Sequence, residues 1–164
     1  MDWSNWTPRE RANLCFICKN GQVLLIRKRR GLGAGKINAP GGKLEPGETA
    51  LEAAVRETWE EVCVRPLDLS ERGTLRFQFK DGYSLHCTVF LASDFQGTPT
   101  ETPEATPFWV SIHAVPYAEM WEDDQHWLPE MFAGYHFEGC FTFDGDKMLT
   151  KQVAFLAPTL PPQT

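Results

Sequence analysis

The stretch Gly41-Gly42-Lys43-Leu44-Glu45-Pro46-Gly47-Glu48-Thr49-Ala50-Leu51-Glu52-Ala53-Ala54-Val55-Arg56-Glu57-Thr58-Trp59-Glu60-Glu61-Val62-Cys63-Val64 divides into a glycine- and proline-rich turn and a helix. Thr49 and Glu52 have the spacing of a capping box, so the helix starts at 49 and runs to 62. Leu51, Ala54, Val55, Thr58 and Val62 follow helical spacing and predict one buried stripe. Glu57, Glu60 and Glu61 are spaced i, i+3, i+4 and share an arc of about 100°. That arc is centred roughly 140° from the apolar stripe. Like charges so placed repel and weaken the helix slightly. Two readings of them stand side by side: an acidic solvated face, or carboxylates gathered for a cation. Arg56 shares a face with Glu52 and Glu48, which predicts an ion pair that orients turn and helix.

Upstream, residues 11–18 and 22–28 are apolar runs around Lys19-Asn20-Gly21, and Asn-Gly predicts a tight hairpin turn. Gly31-Leu32-Gly33-Ala34-Gly35-Lys36 invites comparison with a phosphate-binding P-loop. Arg30 stands where that motif needs its first glycine and Ile37 replaces its hydroxyl residue, so the comparison fails. Arg27-Lys28-Arg29-Arg30 reads either as a solvated loop or as a contact for substrate phosphate.

Downstream, 73–79 and 83–92 flank Asp81-Gly82, a second hairpin signal. A loop at 97–107 precedes a short strand at 108–112. The segment 117–133 reads as a second helix, with Pro129 in its first turn or at a kink. Residues 135–143 and 151–156 are strand candidates. The order of elements gives an α+β fold.

A chain of 164 residues forms one domain by default. A formal net charge of -6 argues against a general nucleic-acid polymer as partner, though bound metal can invert the local sign for a phosphate substrate. No apolar run reaches the roughly 20 residues of a membrane span, and residues 1–9 carry no secretory core. Five cysteines, an odd number, suit free thiols in a reducing cytoplasm. Cys15 and Cys18, three apart on a strand, should face opposite sides of the sheet and not chelate.

The opening stretch resembles the Nudix signature. In that signature a glycine is followed after five residues by Glu, after seven more by Arg-Glu, an apolar residue, any residue, Glu-Glu, any residue, Gly and an apolar residue. Here it falls on Gly42, Glu48, Arg56-Glu57, Thr58, Glu60-Glu61, Cys63 and Val64. Thr58 replaces the apolar residue and Cys63 the closing Gly. A left-handed helix exit at Cys63 would therefore be strained. The resemblance implies an α/β/α sandwich with a mixed central sheet. It also implies that Glu57, Glu60 and Glu61, with the Gly41 carbonyl and Glu104 as auxiliary, hold Mg²⁺ or Mn²⁺, hard ions suited to oxygen ligands. One of the glutamates would act as the base.

A narrower resemblance reaches over residues 11 to 143, to Nudix enzymes of the mammalian 8-oxo-dGTP diphosphatase type. It rests on Met120-Trp121-Glu122-Asp123-Asp124-Gln125-His126-Trp127-Leu128-Pro129, on the 31–38 loop, on Phe77-Gln78-Phe79 and on Gln96-Gly97-Thr98-Pro99. It implies that Trp121 stacks on a nucleobase whose edge meets Asp123, Asp124 and Asn38. Asn13, Lys28, Phe77, Phe79 and Leu85 would line the pocket. Asp123-Asp124 could equally cap the second helix. Leu32, Ala39-Pro40 and Glu122 depart from that type. The expected organisation is an N-terminal extension (1–10), a Nudix domain (11–157) and a loose tail (158–164), acting as a cytoplasmic monomer. Three functions compete: cleavage of oxidised purine triphosphates, cleavage of another nucleoside diphosphate-linked substrate, and nucleotide binding without catalysis.

Overall fold

The computed structural model describes residues 1–156, 158, 162 and 163. Most of the expected 158–164 tail therefore lies outside the described residues. Strands β1 (Glu10–Lys19) and β2 (Gln22–Lys28) form the first hairpin. Its turn puts both Asn20 (φ 53°) and Gly21 (φ 73°) in the left-handed region, as an Asn-Gly two-residue turn requires. Short strands β3 (Ile37–Asn38) and β4 (Gly41–Lys43) precede helix α1 (Ala50–Val62). Then come β5 (Val64–Phe79), β6 (Ser84–Gly97), β7 (Ala105–Ser111), helix α2 (Leu128–Phe132), β8 (His136–Asp144) and β9 (Lys147–Leu156).

The sheet runs β3-β2-β1-β6-β5-β8-β9, with β4 paired to β1 and β7 to β2. It is mixed: β1 lies parallel to β6 and β5 parallel to β8, while the other pairs are antiparallel. Each face carries its own core. On one, α1 packs Ala54 and Val62 against Cys15, Ile17, Leu24 and Ile26. On the other, Trp127, Leu128, Met131 and Phe132 pack against Phe16, Leu75 and Phe137. Cys15 and Cys18 fall into opposite cores, as a period of two demands.

Three expectations need correction. Leu51 is 47% exposed, and the buried face of α1 is Ala53, Ala54, Thr58, Glu61 and Val62. Thr58 serves there by donating its hydroxyl to the Ala54 carbonyl at 2.7 Å, while a carboxylate at 61 is carried inward with the stripe. The segment 117–133 is not one helix. It holds single 3-10 turns at Tyr117–Glu119 and Asp124–His126, then five-residue α2 with Pro129 in its first turn. Met120 is extended, which ends the first turn just before Trp121. The strands also outrun their apolar runs. The first half of β5 mixes apolar and polar residues irregularly, with a positive φ at Asp68 and a bulge between Glu71 and Gly73, so alternation does not reveal it.

Candidate active site

Helix α1 begins as its sequence requires, with Thr49 and Glu52 closing a reciprocal capping box. Arg56 then ties the preceding turn to the helix. Its Nε and Nη2 grip Glu48 at 2.7 and 2.9 Å, and Nη2 also donates to the Lys43 carbonyl at 3.1 Å. This bidentate grip holds the Glu48 carboxyl down at about 2, the Arg56 hydrogen bond being the main cause. Arg56 Nη1 meets Glu57 Oε1 at 2.9 Å and Glu60 Oε2 at 3.2 Å. Arg56 is thus the organiser of the acidic face.

The two glycines of the turn are there for space. A Cβ on Gly42 would lie 2.5 Å from the Glu57 carboxyl carbon, and one on Gly41 would strike the Asn13 carbonyl. The Gly41 N–H donates to Glu61 Oε1 at 3.0 Å. Glu61 is only 3% exposed. Burial pushes its carboxyl up to about 8, with Glu57 and Glu104 adding to the rise and the Gly41 N–H and Lys28 opposing it. Burial likewise raises Glu57, helped by Glu60 and Glu104 and opposed by Arg56. Glu104 reaches this neighbourhood through Thr102, whose hydroxyl donates to the Glu61 carbonyl at 2.6 Å and accepts from Glu104 N at 3.2 Å. Thr102 sits in a loop whose composition gave no sign of this bridge.

The four carboxylates therefore share one partly dry, negative site. Among the described residues no three His, Cys, Asp or Glu side chains stand gathered at coordinating distance. Instead, Arg56 and Gly41 each hold oxygens that a cation would compete for. Glu57, Glu60 and Glu61 each keep a second oxygen outside these bonds. Hard oxygen donors whose mutual repulsion burial makes worse fit a hydrated divalent cation, which relieves both.

Gly41 and Glu61 also line a cavity that opens to solvent. All nine residues expected to contact substrate meet in it: Asn13, Lys28 and Asn38 from the first strands, Phe77, Phe79 and Leu85 from the β5–β6 hairpin, and Trp121, Asp123 and Asp124 from the 117–133 segment. Trp121 meets Phe79 and Phe143 edge-on at 6.0 and 5.5 Å, and Lys36 Nζ sits 5.3 Å from its ring centre. Gly33 abuts the indole nitrogen, where a Cβ would come within 2.7 Å. Asn38 accepts the Ala39 N–H on its side-chain oxygen at 2.8 Å, so its amide nitrogen is free to donate.

Asp123 and Asp124 are both buried. Asp123 makes no capping bond and accepts instead from Trp127 Nε1 at 2.9 Å, which corrects the capping alternative. Burial raises both carboxyls. Asp124, facing the Asp123 charge, goes well up, and their mutual hydrogen bond puts the proton on Asp124. Asp124 Oδ2 has no partner. Tyr83 and Cys87 also line the cavity, and the sequence reading missed both. The signal was present: 83, 85 and 87 alternate onto one side of the hairpin.

A glutamate-bearing helix is docked beside a cavity lined by aromatic and acidic side chains. The NUDIX domain family matches residues 8–131, and the chain belongs to that family and is one of its hydrolases. Family members generally need divalent metal ions. Over 139 residues, 84% of this chain and 89% of the relative, it is 37% identical to the oxidized purine nucleoside triphosphate hydrolase of Danio rerio. The enzyme of that name from Mus musculus gives the same identity over the same span. Among solved structures, the MutT protein of Bacillus halodurans superposes with a TM-score of 0.76. It is 27% identical, covering 88% of this chain and 97% of that one.

Proposed function

We propose that the protein hydrolyses oxidised purine nucleoside triphosphates, 8-oxo-dGTP first among them, to the monophosphate and pyrophosphate, and so cleanses the nucleotide pool. The observation that carries this reading is the single cavity. It is lined both by Trp121 and the Asp123-Asp124 pair and by Gly41 and Glu61 of the acidic site. A nucleotide with its base on Trp121 extends its phosphates toward the carboxylates. The zebrafish and mouse relatives bear the name of this activity.

In this reading Glu57, Glu60, Glu61 and the Gly41 carbonyl hold Mg²⁺ or Mn²⁺, with Glu104 as an auxiliary ligand. The bound ion neutralises phosphate charge and makes attacking water more acidic. The chain's residues do the rest. Arg56 fixes the turn against the helix. Lys28, lining the cavity and close enough to influence Glu61, faces the phosphate end. One of the cluster glutamates takes the water proton. Trp121 supplies a stacking face. The proton held on Asp124, shared with Asp123, keeps the buried acid pair at a single negative charge beside the base. We assign the enzyme to the cytoplasm as a monomer, in keeping with its five free cysteines.

The test is a nucleotide panel with Mg²⁺. The reading requires 8-oxo-dGTP to be turned over faster than dGTP, ADP-ribose and dinucleoside polyphosphates. Fast ADP-ribose cleavage with little 8-oxo-dGTP cleavage would sink it. No turnover of any nucleotide would favour a binding module.

A further inference from the structure

Lys36 closes the glycine loop 31–36, whose spacing does not make a phosphate-binding turn. Its ammonium has a different partner. The loop is pinned from within, by Lys36 N donating to the Gly33 carbonyl at 2.9 Å and Lys28 N donating to the Lys36 carbonyl at 3.0 Å. Arg27 pins it from outside. Its Nη1 donates to the Gly35 carbonyl at 2.9 Å, and its Nη2 meets Glu119 Oε1 at 2.8 Å, just ahead of Trp121 in the chain. The loop and the segment that carries Trp121 are thus tied to each other.

Held this way, Lys36 Nζ lies over the Trp121 ring, 5.3 Å from its centre. Asp146, in the turn between β8 and β9, steadies the ammonium at 3.5 Å. Phe79 and Phe143 meet the same indole edge-on. Trp121 lines the cavity and Lys36 does not. The ammonium therefore acts on a bound base through the indole. A cation over an aromatic ring is attracted by the negative charge of its face and draws π density toward itself. That attraction fixes the ring, and it leaves the rest of the π system less negative toward an electron-rich purine.

We propose that Lys36 is a positioning residue for base binding: its ammonium, anchored over Trp121, holds the indole as a stacking platform. This rests on the functional reading above and adds to it a residue that acts without touching substrate.

The experiment is steady-state kinetics on 8-oxo-dGTP at saturating Mg²⁺. Lys36→Met keeps an unbranched stem and removes the charge. Its KM should rise about three- to tenfold while kcat stays within about twofold, the mark of lost uniform binding. Lys36→Gln, equally uncharged, should repeat the rise should the Met variant fold poorly. Lys36→Arg keeps a cation over the ring and should hold KM within about twofold of wild type. In a Trp121→Leu background Lys36→Met should leave kcat/KM where Trp121→Leu alone puts it, because the ammonium has no ring left to act through. A role in folding alone would persist in that background and would lower Tm and kcat together. An unchanged KM in both uncharged variants overturns the inference, and so does an equal loss with and without Trp121. In those cases wild type still cleaves 8-oxo-dGTP, so only the role of Lys36 falls. If wild type cleaves ADP-ribose but not 8-oxo-dGTP, the functional reading fails and takes this inference with it.

Discussion

Glu61 bears two demands that pull in opposite directions. Packing carries it inward on the same face as Ala54 and Val62, where a carboxylate is costly. Its raised titration records that cost. Glu61→Gln keeps the shape and can still accept from Gly41 N–H, but it removes the charge. We expect kcat on 8-oxo-dGTP to fall by about two orders of magnitude or more, as loss of a transition-state charge contact does. Metal-free stability should move the other way. The folded carboxyl titrates near 8 against 4.5 unfolded, so wild-type stability is full below about pH 4.5 and drains away as pH rises toward 8. The variant lacks that loss. Its Tm in EDTA should match wild type near pH 4.5 and exceed it by several degrees at pH 8. Equal Tm values at pH 8 would show that the carboxyl is not desolvated. Asp124→Asn separates the other end of the cavity. It should lower kcat/KM for oxidised purines by at least about tenfold and leave the Mg²⁺ concentration for half-maximal rate unchanged. A variant equally active on every purine would remove Asp124 from the base edge.

At the level of elements, α1 ends on a residue its geometry does not favour. Cys63 takes φ 60° and ψ 33°, and its N–H closes onto the Trp59 carbonyl. The cost of left-handed backbone for a side chain with a Cβ is about 1 kcal/mol. Cys63→Gly should recover much of it, less the extra freedom glycine has when unfolded. The expected gain is about 0.5–1 kcal/mol, or about 1–4 °C in Tm for a domain of this size. Activity should not change, because Cys63 lines neither cavity nor acidic face. A Tm that stays level or falls would mean the strain is relieved elsewhere. The departure from glycine was legible from the signature spacing, and so was the left-handed exit it strains. The broken 117–133 segment was not legible. The segment read as one helix, but Trp127 is held by Asp123 and Trp121 by the 31–36 loop. Those partners are distant in sequence or unusual for their type, and no local periodicity encodes them. Strand β5 hid for a different reason: its first half buries Val64 and packs Leu69, but the positive φ at Asp68 and the bulge between Glu71 and Gly73 break the strict alternation by which a strand is read.

Across the whole molecule, the sequence showed which residues belong together far better than it showed their resting geometry. Nine dispersed positions converge on one cavity. Yet spacing on a helix wheel cannot tell that Arg56 Nη1 sits between Glu57 and Glu60, or that Gly41 N–H already occupies Glu61. Those contacts make metal binding an exchange, and the exchange has a thermodynamic signature. The cation binds only the folded cluster, so it stabilises by RT ln(1 + [L]/Kd), about 2.7 kcal/mol at a hundredfold excess over Kd. It must also displace the proton from Glu61, whose carboxyl burial pushes up to about 8. Below that range protons compete and the effective affinity falls. The Tm gain from a fixed Mn²⁺ or Mg²⁺ concentration should therefore grow from pH 5.5 to pH 8, and calorimetry in buffers of different ionisation enthalpy should register proton release on binding. The same titration on Glu61→Gln should show a smaller gain and less proton release. A metal-induced Tm shift that is flat across this range, or equal in the variant, would place the ion away from Glu61. The pairing of base pocket and acidic helix in one cavity would then have to be explained without it.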